Sequence, residues 1–170
     1  QNRVLSFLLA RTIAGHWQQG TFTICIDRYV ALSRFSRDKH VEAGLPADKI
    51  VIKPNSVAVP AVTHTGGSGG LFVGRLAGYK GIETVLQAVE RLPEVPVTII
   101  GDGPMQAQVK QAAGRMPRMR YAGPRSHKDV LEAMGKADFL IYASTCYENM
   151  PRVIVEAFAC GLPVIASACG

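Results

Sequence analysis

Apolar residues open the chain at helical spacing, Val4, Leu5, Leu8, Leu9 and Ile13, and then give way to short apolar runs set between amphipathic stretches. Tyr29 to Leu32 reads as a strand, a helix is expected from Ser36 until Gly44 and Pro46 stop it, and Ile50 to Ile52 reads as a second strand ending at Pro54 and Asn55. Residues 61–70, AVTHTGGSGG, carry four glycines and little apolar content, which reads as a linker between two units. Beyond it strands at 71–74, 97–101, 119–122, 138–144 and 163–167 alternate with helices at 82–92, 105–113, 128–136 and 151–160, the third capped by Ser126. Continuous apolar strands joined by helices predict an α/β fold: a Rossmann-like parallel sheet with helices on both faces. Such sheets bind ligands at the carboxyl ends of their strands, near the point where strand order reverses.

With 170 residues, 48% of them hydrophobic and 19% charged, the chain can bury a core and is neither a coiled coil nor a disordered tail. The early apolar stretch from Val4 is closed by Arg11, well short of the ~18 residues that a membrane span requires. Cysteines at 25, 146, 160 and 169 form no CxxC pair and have no histidine at ligand spacing, so they are expected as buried free thiols in a reducing, cytoplasmic setting. The chain starts at Gln1 with no initiator Met and no secretory leader, and is expected to be part of a longer protein. A formal charge of +6 points to an anionic partner, leaving nucleic acid, anionic lipid and phosphorylated metabolites open.

Chemistry is sought at the strand ends. The first strand after the glycine-rich segment runs into Gly74-Arg75-Leu76-Ala77-Gly78-Tyr79-Lys80-Gly81, which is neither a GxGxxG dinucleotide fingerprint nor a phosphate-binding P-loop. Arg75 and Lys80 can instead converge on one diphosphate, the guanidinium as a fork and the ammonium as a point charge. Gly101-Asp102-Gly103-Pro104 and Tyr121-Ala122-Gly123-Pro124 end the next two strands; Gly101 would let a ligand approach the backbone, and Tyr121 with its neighbours could offer groups to a base, though tight turns select the same residues. Glu148-Asn149-Met150-Pro151-Arg152 leads into an apolar helix, with Pro151 suited to its start and Gly161 to the position past its end. That helix is expected to be buried nearly all round, and Glu156 in its middle needs a hydrogen-bonding partner.

GRLAGYKG, GDGP, DFLIYAS and the stretch from Glu148 through EAFACGLPVIAS together closely resemble the donor-binding domain of retaining glycosyltransferase family 4, of GT-B fold, over Tyr29 to Gly170. The resemblance implies residues 1–60 as the end of an acceptor-binding domain, 61–70 as the linker and 71–170 as an incomplete nucleotide-sugar domain. It implies that Arg75 and Lys80, behind Gly74, hold the donor diphosphate, that Glu148 contacts the sugar hydroxyls, that the amides of Asn149, Met150 and Arg152 approach sugar and phosphate, and that Glu156 takes the ribose hydroxyls. Met150-Pro151 stands where many members have Phe-Gly, so one backbone N–H is absent from the sugar pocket. No DxD pair is present, and metal-independent transfer of a sugar from a UDP- or GDP-sugar to a glycan or lipid-linked acceptor is expected, with retention of anomeric configuration. Arg75, Lys80 and Glu148 are then the catalytic candidates, and the protein would be cytoplasmic, with weak peripheral contact at an anionic membrane face. The rival readings are a nucleotide-binding module without catalysis and a basic nucleic-acid or membrane-surface protein; the cations at Arg34, Arg37, Lys39, Arg115, Arg118, Arg120, Arg125, His127 and Lys128 come with no RNA-binding aromatic motif or recognition helix, and a solvated face explains most of them.

Overall fold

The structure is a computed structural model that describes residues 2–58 and 62–169. The chain divides into two compact units, Gln1–Pro54 and Asn55–Gly170. The boundary expected at residues 60 and 61 lies outside the described residues, and the division into units falls ahead of it.

In the first unit α1 (Arg3–Gln18) is capped by Asn2, whose side chain accepts from the Leu5 N–H, and none of its residues is buried. After α2 (Thr21–Ile24), Lys49 Nζ donates to Thr23 O at 2.8 Å and to Ile26 O at 2.9 Å, satisfying carbonyls around the helix end. A βαβ unit follows: β1 (Tyr29–Ala31), α3 (Arg34–Glu42) and β2 (Ile50–Ile52), the strands parallel with Tyr29 opposite Ile50. Helix α3 starts ahead of the expected Ser36 because the Ser33 hydroxyl accepts from the Ser36 N–H at 3.0 Å and caps it.

The second unit alternates β3 (Gly70–Val73), α4 (Ile82–Arg91), β4 (Val97–Ile100), α5 (Gln106–Arg115), β5 (Met119–Gly123), α6 (His127–Lys136), β6 (Phe139–Tyr142), α7 (Arg152–Ala159) and β7 (Val164–Ala166). The strands pair in parallel in the order β5-β4-β3-β6-β7. The chain therefore builds outward from β3 on one side, returns to its other side for β6, and reverses its strand order between β3 and β6.

Apolar residues alternating along the strands serve two cores. Phe72 and Ile99 join Ile82, Val85, Leu86 and Val89 of α4 and Val109 of α5 on one face, while Leu71 and Ile100 join Val130 and Met134 of α6 and Ala157 of α7 on the other. Helix α6 begins where Ser126 accepts from the Asp129 N–H at 3.2 Å, as its sequence predicts.

Three expectations change. Residues 62–69 are not a free linker: Thr65 N and Ser68 N donate to the carbonyls of Gly135 and Lys136 at 2.8 and 3.0 Å, and the Asp138 carboxylate accepts from Gly67 N at 2.6 Å and Gly69 N at 2.8 Å. The glycines give this segment positive φ, 64° at Gly66 and 93° at Gly67, and that turn is what aims its amides at Asp138. Helix α7 is not buried all round, since only Glu156 and Ala157 are buried and Phe158 is 64% exposed. Of the four free cysteines only Cys160 is buried, its thiol pushed up by burial and then by Glu156, while Cys25 is exposed.

The two backbone N–H groups hold the Asp138 carboxyl below its usual value of 3.8. A depressed native pKa contributes stability that is complete above that usual value and is lost as the pH falls through the native one. Thermal melts should show wild type losing stability more steeply than Asp138→Asn between about pH 5 and pH 2. Parallel curves would remove the clamp.

Candidate functional site

The loop after β3 is fastened on both sides. Gly74 N donates to Ile100 O at 3.1 Å and Leu76 N to Asp102 O at 2.6 Å, tying it to the end of β4. Gly101 has φ 140°, and a Cβ there would stand 1.9 Å from the Gly74 carbonyl oxygen, so the close approach of the two strand ends requires glycine. On the other side Thr145 N donates to Tyr79 O at 3.0 Å, and a Cβ on Gly81, at φ 70°, would meet Ala143 O at 1.8 Å. Lys80 is thereby held against the segment that follows β6.

A cavity of about 430 Å³ lies at the carboxyl ends of β3 and β6, where strand order reverses. Gly74, Arg75, Lys80, Glu148 and Glu156 line it. So do Met150, Pro151 and Arg152 at the start of α7, whose N-terminus no side chain caps and whose first N–H groups suit an anion. An adjoining cavity of about 340 Å³ shares Gly74 and Arg75 and adds Gly101. Asn149 and Tyr121 line neither cavity. The Tyr121 hydroxyl accepts from Gln106 Nε2 at 2.7 Å and donates to Gly101 O at 2.9 Å, so it braces the GDGP loop.

The two glutamates are held differently. Lys80 Nζ donates to Glu148 Oε1, and the Ser144 hydroxyl stands 3.2 Å from the same oxygen. Burial alone would raise the Glu148 carboxyl, but Lys80, Tyr142 and Ser144 outweigh it and hold the group below its usual value. Glu156, 9% exposed, has His127 Nε2 at 3.1 Å and Arg152 Nη2 at 3.6 Å, both at Oε1. The partner that a buried carboxylate requires is thus present, and one half of it is His127, which nothing in the sequence related to Glu156.

Three further residues escaped the sequence reading. Asn55 Nδ2 donates to Met150 O at 2.7 Å and its N–H reaches Met150 Sδ at 3.2 Å, holding the approach to α7. Ser144, 1% exposed, supports both Tyr79 and Glu148. Tyr142, which the sequence places only within the strand 138–144, lines the cavity. Among the described residues no three His, Cys, Asp or Glu side chains gather as a metal-ligand group. Nor is any described helix long and apolar enough to cross a membrane.

Residues 68–170 match the family model described as "Glycosyl transferases group 1". The chain belongs to this family. Over 100 residues it is 29% identical to sulfoquinovosyl transferase SQD2 of Arabidopsis thaliana, an alignment covering 59% of this chain and 19% of that protein. Over 108 residues it is 34% identical to D-inositol 3-phosphate glycosyltransferase of Mycobacterium marinum, covering 58% of this chain and 23% of that protein. The chain thus matches about a fifth of the length of these curated relatives, 19% and 23%. Among solved structures, HepE of Anabaena in complex with UDP and glucose is similar with a TM-score of 0.71 and 25% identity, over 85% of this chain and 45% of that one. The expected fold class is borne out: this group 1 glycosyl transferase chain has the parallel sheet with helices on both faces, and its structural neighbours are GT-B glycosyltransferases.

Lys80 and Glu148 have side chains 24% and 22% exposed, between a surface pair and a buried one. A double-mutant cycle with Lys80→Met and Glu148→Gln should give a coupling of ~1 to 2 kcal/mol at pH 7. Because the native Glu148 pKa is depressed, this coupling should persist down to the usual glutamate value of 4.5 and decline as pH falls further. Additive single effects at pH 7 would mean the pair contributes nothing.

Proposed function

We propose that this chain is the donor-binding part of a metal-independent, retaining glycosyltransferase that moves a sugar from a UDP- or GDP-sugar to a glycan or lipid-linked acceptor. The observation that carries the reading is the convergence of Arg75, Lys80, Glu148, Glu156 and an uncapped helix N-terminus on one cavity at the switch point of a parallel sheet. Two cations and backbone N–H groups suit a diphosphate, and two carboxylates suit hydroxyl groups on either side of it.

On this reading Arg75 and Lys80 hold the diphosphate, Glu148 orients the transferred sugar through its hydroxyls, and Glu156, held by His127 and Arg152, takes the ribose. The bond from the anomeric carbon to the terminal phosphate oxygen breaks, the acceptor oxygen bonds that carbon from the same face, and the acceptor proton passes to the departing phosphate. Charge that builds on the diphosphate is met by groups already in place, the form of electrostatic stabilisation that contributes most to such reactions. In this role the cations do what a divalent metal does elsewhere. The acceptor belongs to the preceding domain, with weak contact to an anionic membrane face where lipid-linked acceptors reside.

Calorimetry on the full-length protein tests the diphosphate assignment. Arg75→Ala and Lys80→Ala should each weaken nucleoside diphosphate binding by ~1 to 3 kcal/mol while leaving the nucleoside alone nearly unaffected. Equal losses for both ligands would refute it. Transfer should survive chelator, and abolition by EDTA with rescue by Mg²⁺ or Mn²⁺ would overturn the metal-independent mechanism.

The glutamates should separate by role. Glu156→Gln should weaken the diphosphate and its sugar conjugate together, whereas Glu148→Gln should spare the free diphosphate and lower turnover of the conjugate. A lowered melting temperature with ligand affinity preserved would make Glu156 structural only.

A further inference from the structure

The Tyr142 hydroxyl is buried and, among the described residues, has no hydrogen-bond partner. Buried polar groups are nearly always paired, so an orphan in a cavity wall requires an explanation. Tyr142 lines the same cavity as Lys80 and Glu148, and its titration lies far above the usual tyrosine range through burial first and then Glu148. The phenol stands close enough to the carboxylate to help hold it below its usual value, yet its hydroxyl completes no hydrogen bond among the described residues.

Lys80 explains the arrangement. Its ammonium already occupies Glu148 Oε1, and the other donors near that oxygen are limited. The Ser144 hydroxyl has one proton, for which Tyr79 O at 3.2 Å competes, and the Cys146 thiol, 4.0 Å away, is a weak donor. Tyr142 alone among these carries a proton with no competing acceptor. An anion entering the cavity between Arg75 and Lys80 would draw the ammonium toward itself and leave a poorly solvated carboxylate short of its strongest donor.

We propose that Tyr142 is a positioning residue of the cleft: when a diphosphate takes the Lys80 ammonium, the Tyr142 hydroxyl turns to donate to Glu148 and keeps that carboxylate ionised and aimed at the ligand. The proposal rests on reading the cleft as a diphosphate site. It assigns the orphan hydroxyl to the occupied state of the cleft. Sugar binding by Glu148 then depends on a donor that the substrate does not compete for.

Inorganic pyrophosphate tests this without a base or a sugar, and it is transparent in the near ultraviolet, where a tyrosine that donates a hydrogen bond shifts its absorbance to the red. The full-length protein would carry Tyr79→Phe throughout, because Lys80 Nζ lies 5.6 Å from the centroid of that ring and its departure would change that absorbance too. Saturation with pyrophosphate should give a red-shifted tyrosine band that Tyr142→Phe removes, and because that hydrogen bond forms only in the occupied cleft, Tyr142→Phe should also weaken calorimetric affinity for pyrophosphate by roughly 3- to 30-fold. Lys80→Met should show part of the shift with no pyrophosphate present, and adding Tyr142→Phe should abolish it. Identical difference bands with and without Tyr142, in proteins that both bind pyrophosphate, would overturn the proposal and leave the diphosphate reading intact. Should Tyr142→Phe not fold, an unshifted spectrum in Lys80→Met would overturn it equally. Failure of the Tyr79→Phe protein to bind pyrophosphate at all would remove the diphosphate reading and the Tyr142 proposal together.

Discussion

The ion pair between Lys80 and Glu148 depends on one topological constraint: β6 lies beside β3, although β4 and β5 precede it in the chain. That reversal sets the loop after β3 against the loop after β6, and the glycine contact at Gly81 brings their backbones close enough for side chains to meet. Charges of both signs then share one cleft. Lys80 offsets Glu148, while Arg75 and the N-terminus of α7, where Pro151 offers no side-chain cap, add positive potential to the cleft.

The loop that carries the two cations is also part of the core. Leu76, next to Arg75, and Ile82, two residues past Lys80, are both fully buried and join the cluster that α4 and α5 form on one face of the sheet. Burial of a leucine contributes about 2 to 3 kcal/mol, so the apolar residues fasten the loop more firmly than its polar contacts do. A site residue on such a loop cannot drift without opening the core. The same economy of motion applies at the other edge of β3, where Asp138 fixes the glycine-rich segment that leads into the strand.

Glu148 and Glu156 show how environment separates two identical side chains. The first is gripped by the Lys80 ammonium, and beside it lies the Tyr142 hydroxyl, which has no hydrogen-bond partner among the described residues. The second is fixed by an arginine one helical turn ahead of it and by a histidine from another helix, neither shared with Glu148. The two carboxylates of one cleft therefore differ in what holds them: an ammonium from the loop after β3 for Glu148, and two groups from the helices for Glu156.

The order of strands and helices, the strand ends where Arg75 and Lys80 sit, and the helix that carries Glu156 are legible in the sequence, because periodicity, glycines and prolines act over a few residues. Several residues of the cleft are legible for the same reason, since Arg75, Lys80 and Glu148 follow strands and Pro151 and Arg152 open a helix, whereas Tyr142 lies inside a strand and was not. The partners of those residues are not. Lys80 and Glu148 are 68 positions apart and His127 and Glu156 are 29 apart, and no local pattern relates them. Nor does a tyrosine within an apolar strand reveal whether its hydroxyl will be paired. Strand order, the packing of α6 beside α7 and the close backbone approaches at Gly81 and Gly101 decided which side chains meet, because hydrogen bonds and ion pairs form over ångströms in space, whatever the separation along the chain.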